Sequence, residues 1–225
     1  MAILTQQQRK LFDELHNSRL EDFRTFNKKS DRGIWNSVIE KYPETAHFIY
    51  ELLQNADDAE ATEVYIIVNK HEMIFKHNGK KHFDVTTEDA VPVGDINSIT
   101  GIGDSSKIET ENKIGKFGVG FKAVFQYTDA PEIYDDYFKF KIENYIVPTL
   151  LTYDHPEREE GETLFLFPFK NEDNAYNEII KKLENLDNPI LFLRNLQKIV
   201  WRIDRKKNVI GDEMTYGKTL LEKKI

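Results

Sequence analysis

Residues 48–68, FIYELLQNADDAEATEVYIIV, decide how the rest of the chain is read. At about 100° per residue, Ile49, Leu52, Leu53 and Ala56 fall on one side of a helix, while Glu51, Asn55 and Asp58 gather on the other. Asp57 points elsewhere on that wheel. The helical period then stops, and TEVYIIVNK (62–70) alternates apolar and polar residues as a strand does; EMIFKHNG (72–79) repeats the pattern and supplies a pairing partner. A helix running straight into paired strands predicts an α+β layer packing. Taken alone, the polar stripe is the solvated face of any amphipathic helix. Its meaning depends on what else the chain brings.

Composition bounds the possibilities. The 225 residues are 40% hydrophobic and 12% aromatic, enough for one sizeable core. With 31 basic against 39 acidic residues, the formal charge of −8 carries no electrostatic footprint for nucleic acid or an anionic membrane. No run approaches the ~18 apolar residues of a membrane span, and the polar start MAILTQQQRKLFDEL is unlike a signal peptide. The expected location is cytoplasmic. Cysteine does not occur, which removes disulfides, thiolate zinc sites and a cysteine nucleophile. None of the six histidines forms an HxH or HExxH pair, so any metal is expected to come through oxygen ligands.

Along the chain, residues 6–26 and 32–42 read as charged helices and 45–59 as a third. Residues 92–114 read as a Gly/Ser/Thr-containing loop. GKFGVGFKAVFQY (115–127) reads as a glycine turn opening a helix. YFKFKIENYIV (137–147) and ETLFLFPF (162–169) read as strands, 174–186 as a helix, 189–204 as a further apolar stretch, and 217–225 as polar tail. The order predicts helices on one face of a mixed sheet.

The glycine segment gives the stripe a second meaning. Gly115, Gly118 and Gly120 stand just before an apolar helical run, where backbone N–H groups can approach a polyphosphate. Close helix packing is the competing reading of the same glycines. It is not a Walker loop, because no GKS or GKT follows.

Three motifs in order carry a resemblance. ELLQNADDAEAT (51–62) resembles the N-box of the GHKL (Bergerat-fold) ATPases, GKFGVGF (115–121) their second glycine box, and GETLFLF (161–167) the late G-x-T strand flooring the adenine pocket. SITGIGDSSK (98–107) and PILFLRNLQKIVW (189–201) are similar to the sacsin-type branch. The resemblance covers about residues 45–204. It implies an α+β, two-layer α/β sandwich of the Bergerat type, with helices on one face of a mixed, mostly antiparallel sheet. It implies an N-terminal helical extension at 1–44, an ATP-binding domain at 45–210, and a polar tail at 211–225 leading into further domains of a longer protein.

Through that resemblance each residue acquires a role. Glu51 is expected as the general base polarising water at the γ-phosphate, and Asn55 as the amide ligand to Mg²⁺. Asp58 supports the site's edge, with a structural role as the alternative. The backbone of Gly118, Val119, Gly120 and Phe121 holds the phosphates of ATP, with Lys116 and Lys122 as nearby cations. Ser105, Ser106 and Lys107 fall where the family carries its ATP lid, and a solvated loop is the other reading. The family's D-x-G-x-G box departs here to KHNGKKHF (76–83): His77 stands at the place of the aspartate that accepts from the adenine amino group, and the second glycine is missing. His77 or Asn78, beside Gly79, is then the candidate acceptor, or else Thr163 with ordered water makes the contact.

The implied activity is Mg²⁺-dependent ATP binding with slow hydrolysis, driving lid closure and coupling to other domains of a chaperone-like, sacsin-type protein. The alternatives are a nucleotide-binding scaffold or sensor with little turnover, or the ATPase module of a DNA-processing or defence assembly. Glu51 argues against a histidine kinase, since kinases of this fold lack it. Expected partners are an adenine nucleotide, further domains of the same chain and a second copy in the ATP-bound state, with neither membrane nor nucleic acid.

Overall fold

The alternation seen at 62–79 becomes a hairpin. Strands β1 (Glu63–Val68) and β2 (Glu72–His77) pair antiparallel, Val64 opposite His77 through Val68 opposite Met73. The turn between them is held by Asn69, whose Oδ1 accepts the N–H groups of His71 and Glu72. The computed structural model describes residues 4–28, 47–101, 119–206 and 209–217.

Around this hairpin the chain builds one eight-stranded sheet. Helices α1 (Gln6–Lys28), α2 (His47–Asp58) and α3 (Asp95–Thr100) and a 3-10 helix at Val119–Gln126 precede β3 (Glu132–Tyr134), β4 (Lys139–Glu143), β5 (Val147–Leu150) and β6 (Thr163–Pro168). Helix α4 (Glu172–Glu184) and a 3-10 turn at Pro189–Phe192 lead to β7 (Lys198–Lys206) and β8 (Val209–Gly217). The strand order is β5-β4-β3-β6-β2-β1-β7-β8, antiparallel throughout except that β7 runs parallel to β1. The fold is α+β with a mixed, open sheet. Helix α1 starts on a capping box in which the Thr5 and Gln8 side chains each accept the other's N–H.

The strand period sorts side chains by face. Val64, Ile66, Phe75, Ile133, Phe140, Phe165 and Trp201 join one core with Phe12 and Leu15 of α1, Leu52 and Leu53 of α2, Ile96 and Ile99 of α3, and Ile179 and Leu183 of α4. Each such buried side chain contributes about 1.5–3 kcal/mol. Among the described residues, the opposite face carries a small apolar cluster of Ile67, Ile74, Tyr134, Leu164 and Leu166.

Two expectations are corrected. Within 92–114, residues 95–100 form helix α3: Ile96 and Ile99 are buried, and Asn97 pairs through both amide atoms with the backbone of Thr86. Tertiary contacts hold a helix too short to stand alone between Gly94 and Gly101. The run 137–147 is not one strand, because Asn144 and Tyr145 both take positive φ, at 52° and 69°, and fold β4 back onto β5. The sheet also continues through β8 to Gly217.

Candidate functional site

Helix α2 lies across the sheet with its apolar side down, and this sets where its polar residues go. Leu52, Leu53 and Ala56 are buried, Glu51 is half-buried, and Asn55 is 8% exposed. Asn55 Nδ2 is buried without a hydrogen-bond partner. An unpaired buried amide costs about 1–3 kcal/mol, and native interiors rarely tolerate one without a reason. Which amide atom is nitrogen is an assignment from the surroundings, so either atom is available to a ligand.

Glu51 and the glycine turn meet directly. A Cβ built on Gly120 would come within 2.4 Å of Glu51 Cδ and 2.7 Å of its Oε2. A side chain at this position would push the Glu51 carboxylate away from the turn. The structure thus brings together two of the three motifs, some seventy positions apart in sequence, with no side chain between them.

The third element is the end of β2. His77 pairs with Thr163 of β6 in the sheet register, and the two line one narrow cleft with Asn55, Ala59, Lys81, His82, Phe83 and Asp95. His77 is 4% exposed, and its Nδ1 accepts the Gly79 N–H at 3.0 Å. Burial pushes its pKa down to about 4, so the ring is neutral at ordinary pH. Gly79 is required here as well, since a Cβ would lie 2.8 Å from His77 Nδ1. Free space at the bottom of the cleft is about 20 Å³, room for a water molecule. Lys81 and His82 are among the more exposed side chains of this lining.

Other candidates are placed differently. Asn78 turns away from the cleft: its Oδ1 accepts the N–H groups of Thr62 and Glu63, and its Nδ2 donates to Thr62 Oγ1, tying the β2 end to the start of β1. The Asp58 side chain is exposed and does not line the cleft, while its carbonyl accepts from Lys81 Nζ at 2.6 Å. Phe121 is 1% exposed and packs against Phe165 and Phe167, which leaves its backbone as the group facing the turn. Lys122 is buried and donates to the carbonyls of Ile99 and Tyr145, at 2.8 and 2.7 Å. Burial, and then Arg19, push its pKa down to about 7. Val119 opens the 3-10 helix. Ser105, Ser106, Lys107, Lys116 and Gly118 lie outside the described residues.

Sequence reasoning missed two buried acids. Asp57 accepts the N–H groups of Arg194, Asn195 and Leu196, and its carbonyl takes the Asn195 side-chain amide. Its signal was present: Asp57 sits one turn after Leu53, on the buried side. Asp135, fully buried, accepts from the backbone of Phe83, Tyr137 and Phe138. Nothing in the YDDYF context separates it from the more exposed Asp136.

Fold and site together define an α+β domain in which a helix-borne carboxylate and an unsatisfied amide lie against a glycine turn and a buried histidine. Its similarity is of sacsin type: residues 33–142 match the family described as the Sacsin domain. The chain is 30% identical over 204 residues to Protein NO VEIN of Arabidopsis thaliana, covering 78% of this chain and 7% of that protein. It is 33% identical over 108 residues to sacsin of Homo sapiens, covering 43% of this chain and 2% of that protein. The chain therefore spans a small fraction of the length of either relative. Among the described residues no helix is long and apolar enough to cross a membrane, and no group of three or more His, Asp or Glu is placed to hold a metal.

Proposed function

We propose that the domain is a Bergerat-type module that binds ATP with Mg²⁺, hydrolyses it slowly, and passes the nucleotide state to further domains of a longer, sacsin-type, chaperone-like chain in the cytoplasm. The observation that carries this reading is the conjunction on α2. Glu51 lies against Gly120, and one turn on, Asn55 lines the cleft with its Nδ2 buried and unpaired. A Mg²⁺ ion bound mainly by phosphates and water needs few protein ligands, so Asn55 alone suits it, and the ion would neutralise phosphate charge. Glu51 would accept a proton from water beside the turn, whose backbone from Gly118 to Phe121 would hold the phosphates.

Calorimetry with a non-hydrolysable ATP analogue and Mg²⁺ tests binding, and Glu51→Ala tests chemistry. Binding should persist in the variant while turnover falls about 10²–10⁴-fold. No heat and no thermal shift at millimolar analogue would remove the nucleotide reading, and equal turnover would remove Glu51 as the base.

A second reading, a nucleotide-binding scaffold with little turnover, is favoured by one observation. Lys122, which directly follows the turn, spends its ammonium on the Ile99 and Tyr145 carbonyls. In that case the wild-type chain binds the analogue and turns over no faster than Glu51→Ala.

A further inference from the structure

The base end of the cleft departs from what an adenine site requires. Adenine's 6-amino group is a donor and needs an acceptor opposite it. His77 Nδ1, the ring's one acceptor in the neutral state, is occupied by the Gly79 N–H. The ring proton is therefore on Nε2, and no hydrogen bond to that atom occurs among the described residues. His77 offers the cleft an N–H. Burial keeps the imidazole neutral at ordinary pH, and the Gly79 N–H sets its tautomer.

The neighbours leave that polarity in place. The Asn55 amide, whose two ends can be read either way round, lines the same cleft and does not oppose it. The Thr163 hydroxyl, opposite His77 in the register, can adapt to either sense. Asp95, at the start of α3, is the carboxylate of the lining. If the base sits as the resemblance implies, with its 6-substituent against His77, it meets a donor there.

We infer that His77 removes 6-amino selectivity from this cleft, so that 6-oxopurine triphosphates, those of guanine and hypoxanthine, are ligands at least as good as ATP. The inference rests on the nucleotide reading and concerns only its base. A 6-oxo group accepts from Nε2–H. A 6-amino group in the same place leaves two donors facing each other, although adenine keeps ring nitrogens able to accept, so ATP is tolerated rather than excluded.

The test is competition of ATP, GTP and ITP against a fluorescent triphosphate with Mg²⁺, on the full 225-residue chain. GTP and ITP should compete as well as ATP or up to about tenfold better. His77→Asp, which presents an acceptor, should move the ratio toward ATP by about tenfold. His77→Asn, uncharged and offering an amide oxygen, should move it the same way and serves if the aspartate variant does not fold. A wild-type preference for ATP above about threefold overturns the inference, whether it arises at Asp95 or elsewhere, and so does a ratio unchanged in a folded variant. Failure of all three triphosphates to bind brings down the nucleotide reading itself, a pattern distinct from binding with adenine preferred.

Discussion

Asp57 and Asn55 stand two residues apart on one helix, buried to nearly the same degree at 7% and 8% exposure, and are treated in opposite ways. The Asp57 carboxylate is saturated by three backbone N–H groups from residues 194–196. The Asn55 amide nitrogen has none. A carboxylate enclosed by N–H donors holds the fold together and has nothing left to offer a ligand. An amide left unsatisfied in the same helix is destabilising by itself and makes sense as a group held ready for something that arrives later. The same division separates Asp135, closed by three N–H groups, from His77, which keeps one ring nitrogen unpaired in the cleft.

The largest expected effect breaks the saturated side. Asp57→Ala leaves the N–H groups of 194, 195 and 196 without their acceptor and should cost about 3–4 kcal/mol in urea unfolding. A loss below about 1 kcal/mol would mean that water replaces the carboxylate and that the clamp is dispensable.

Next comes acid. The unfolded His77 takes up its proton near 6.5, while the folded ring refuses it until about 4. Between those values the unfolded state binds more protons, so stability is fully present above 6.5 and is lost as pH falls toward 4. The loss reaches about 3 kcal/mol. His77→Asn should flatten this limb of the stability–pH curve, and an unchanged limb would assign it to other groups.

The smallest effect sharpens the contrast. Asn55→Ala removes an unsatisfied donor along with its packing, so stability should stay within about 1 kcal/mol of wild type while Mg²⁺-dependent nucleotide binding is lost. A loss comparable to that of Asp57→Ala would show that Asn55 is structural after all.

What the sequence revealed and what it hid follow the range of the interactions. Helix α2 and the β1–β2 hairpin were legible because period and partner lie within thirty residues, and the mixed sheet followed from the order of elements. Glu51 and Asn55 were legible as a stripe, and their sacsin-type context as motifs. Helix α3 was hidden because its stability comes from Asn97 gripping Thr86 and from two buried isoleucines rather than from local propensity. The β4–β5 turn was hidden because Asn144 and Tyr145 carry no glycine to announce positive φ. Asn78 read as a possible base contact, yet its amide serves the backbone of a neighbouring strand. The buried place of Asp57 on α2 could be read from the wheel, but its role could not, because its donors arrive from a loop 137–139 positions further along the chain.

The single parallel pairing in the sheet has a consequence for how the chain acquires its shape. Strand β1 has β2 on one side almost as soon as it is made, but its other side waits for β7, with Glu63 meeting Lys198. Closing that segment costs loop entropy before any contact of β7 repays it. On a ribosome adding about 5–20 residues per second, the open edge of β1 stands exposed for roughly ten seconds. Throughout that interval the hairpin presents unpaired N–H and C=O groups, the template on which strands of other chains add. Arrival of β7 closes that edge, and residues 194–196 reach the Asp57 carboxylate in the same movement.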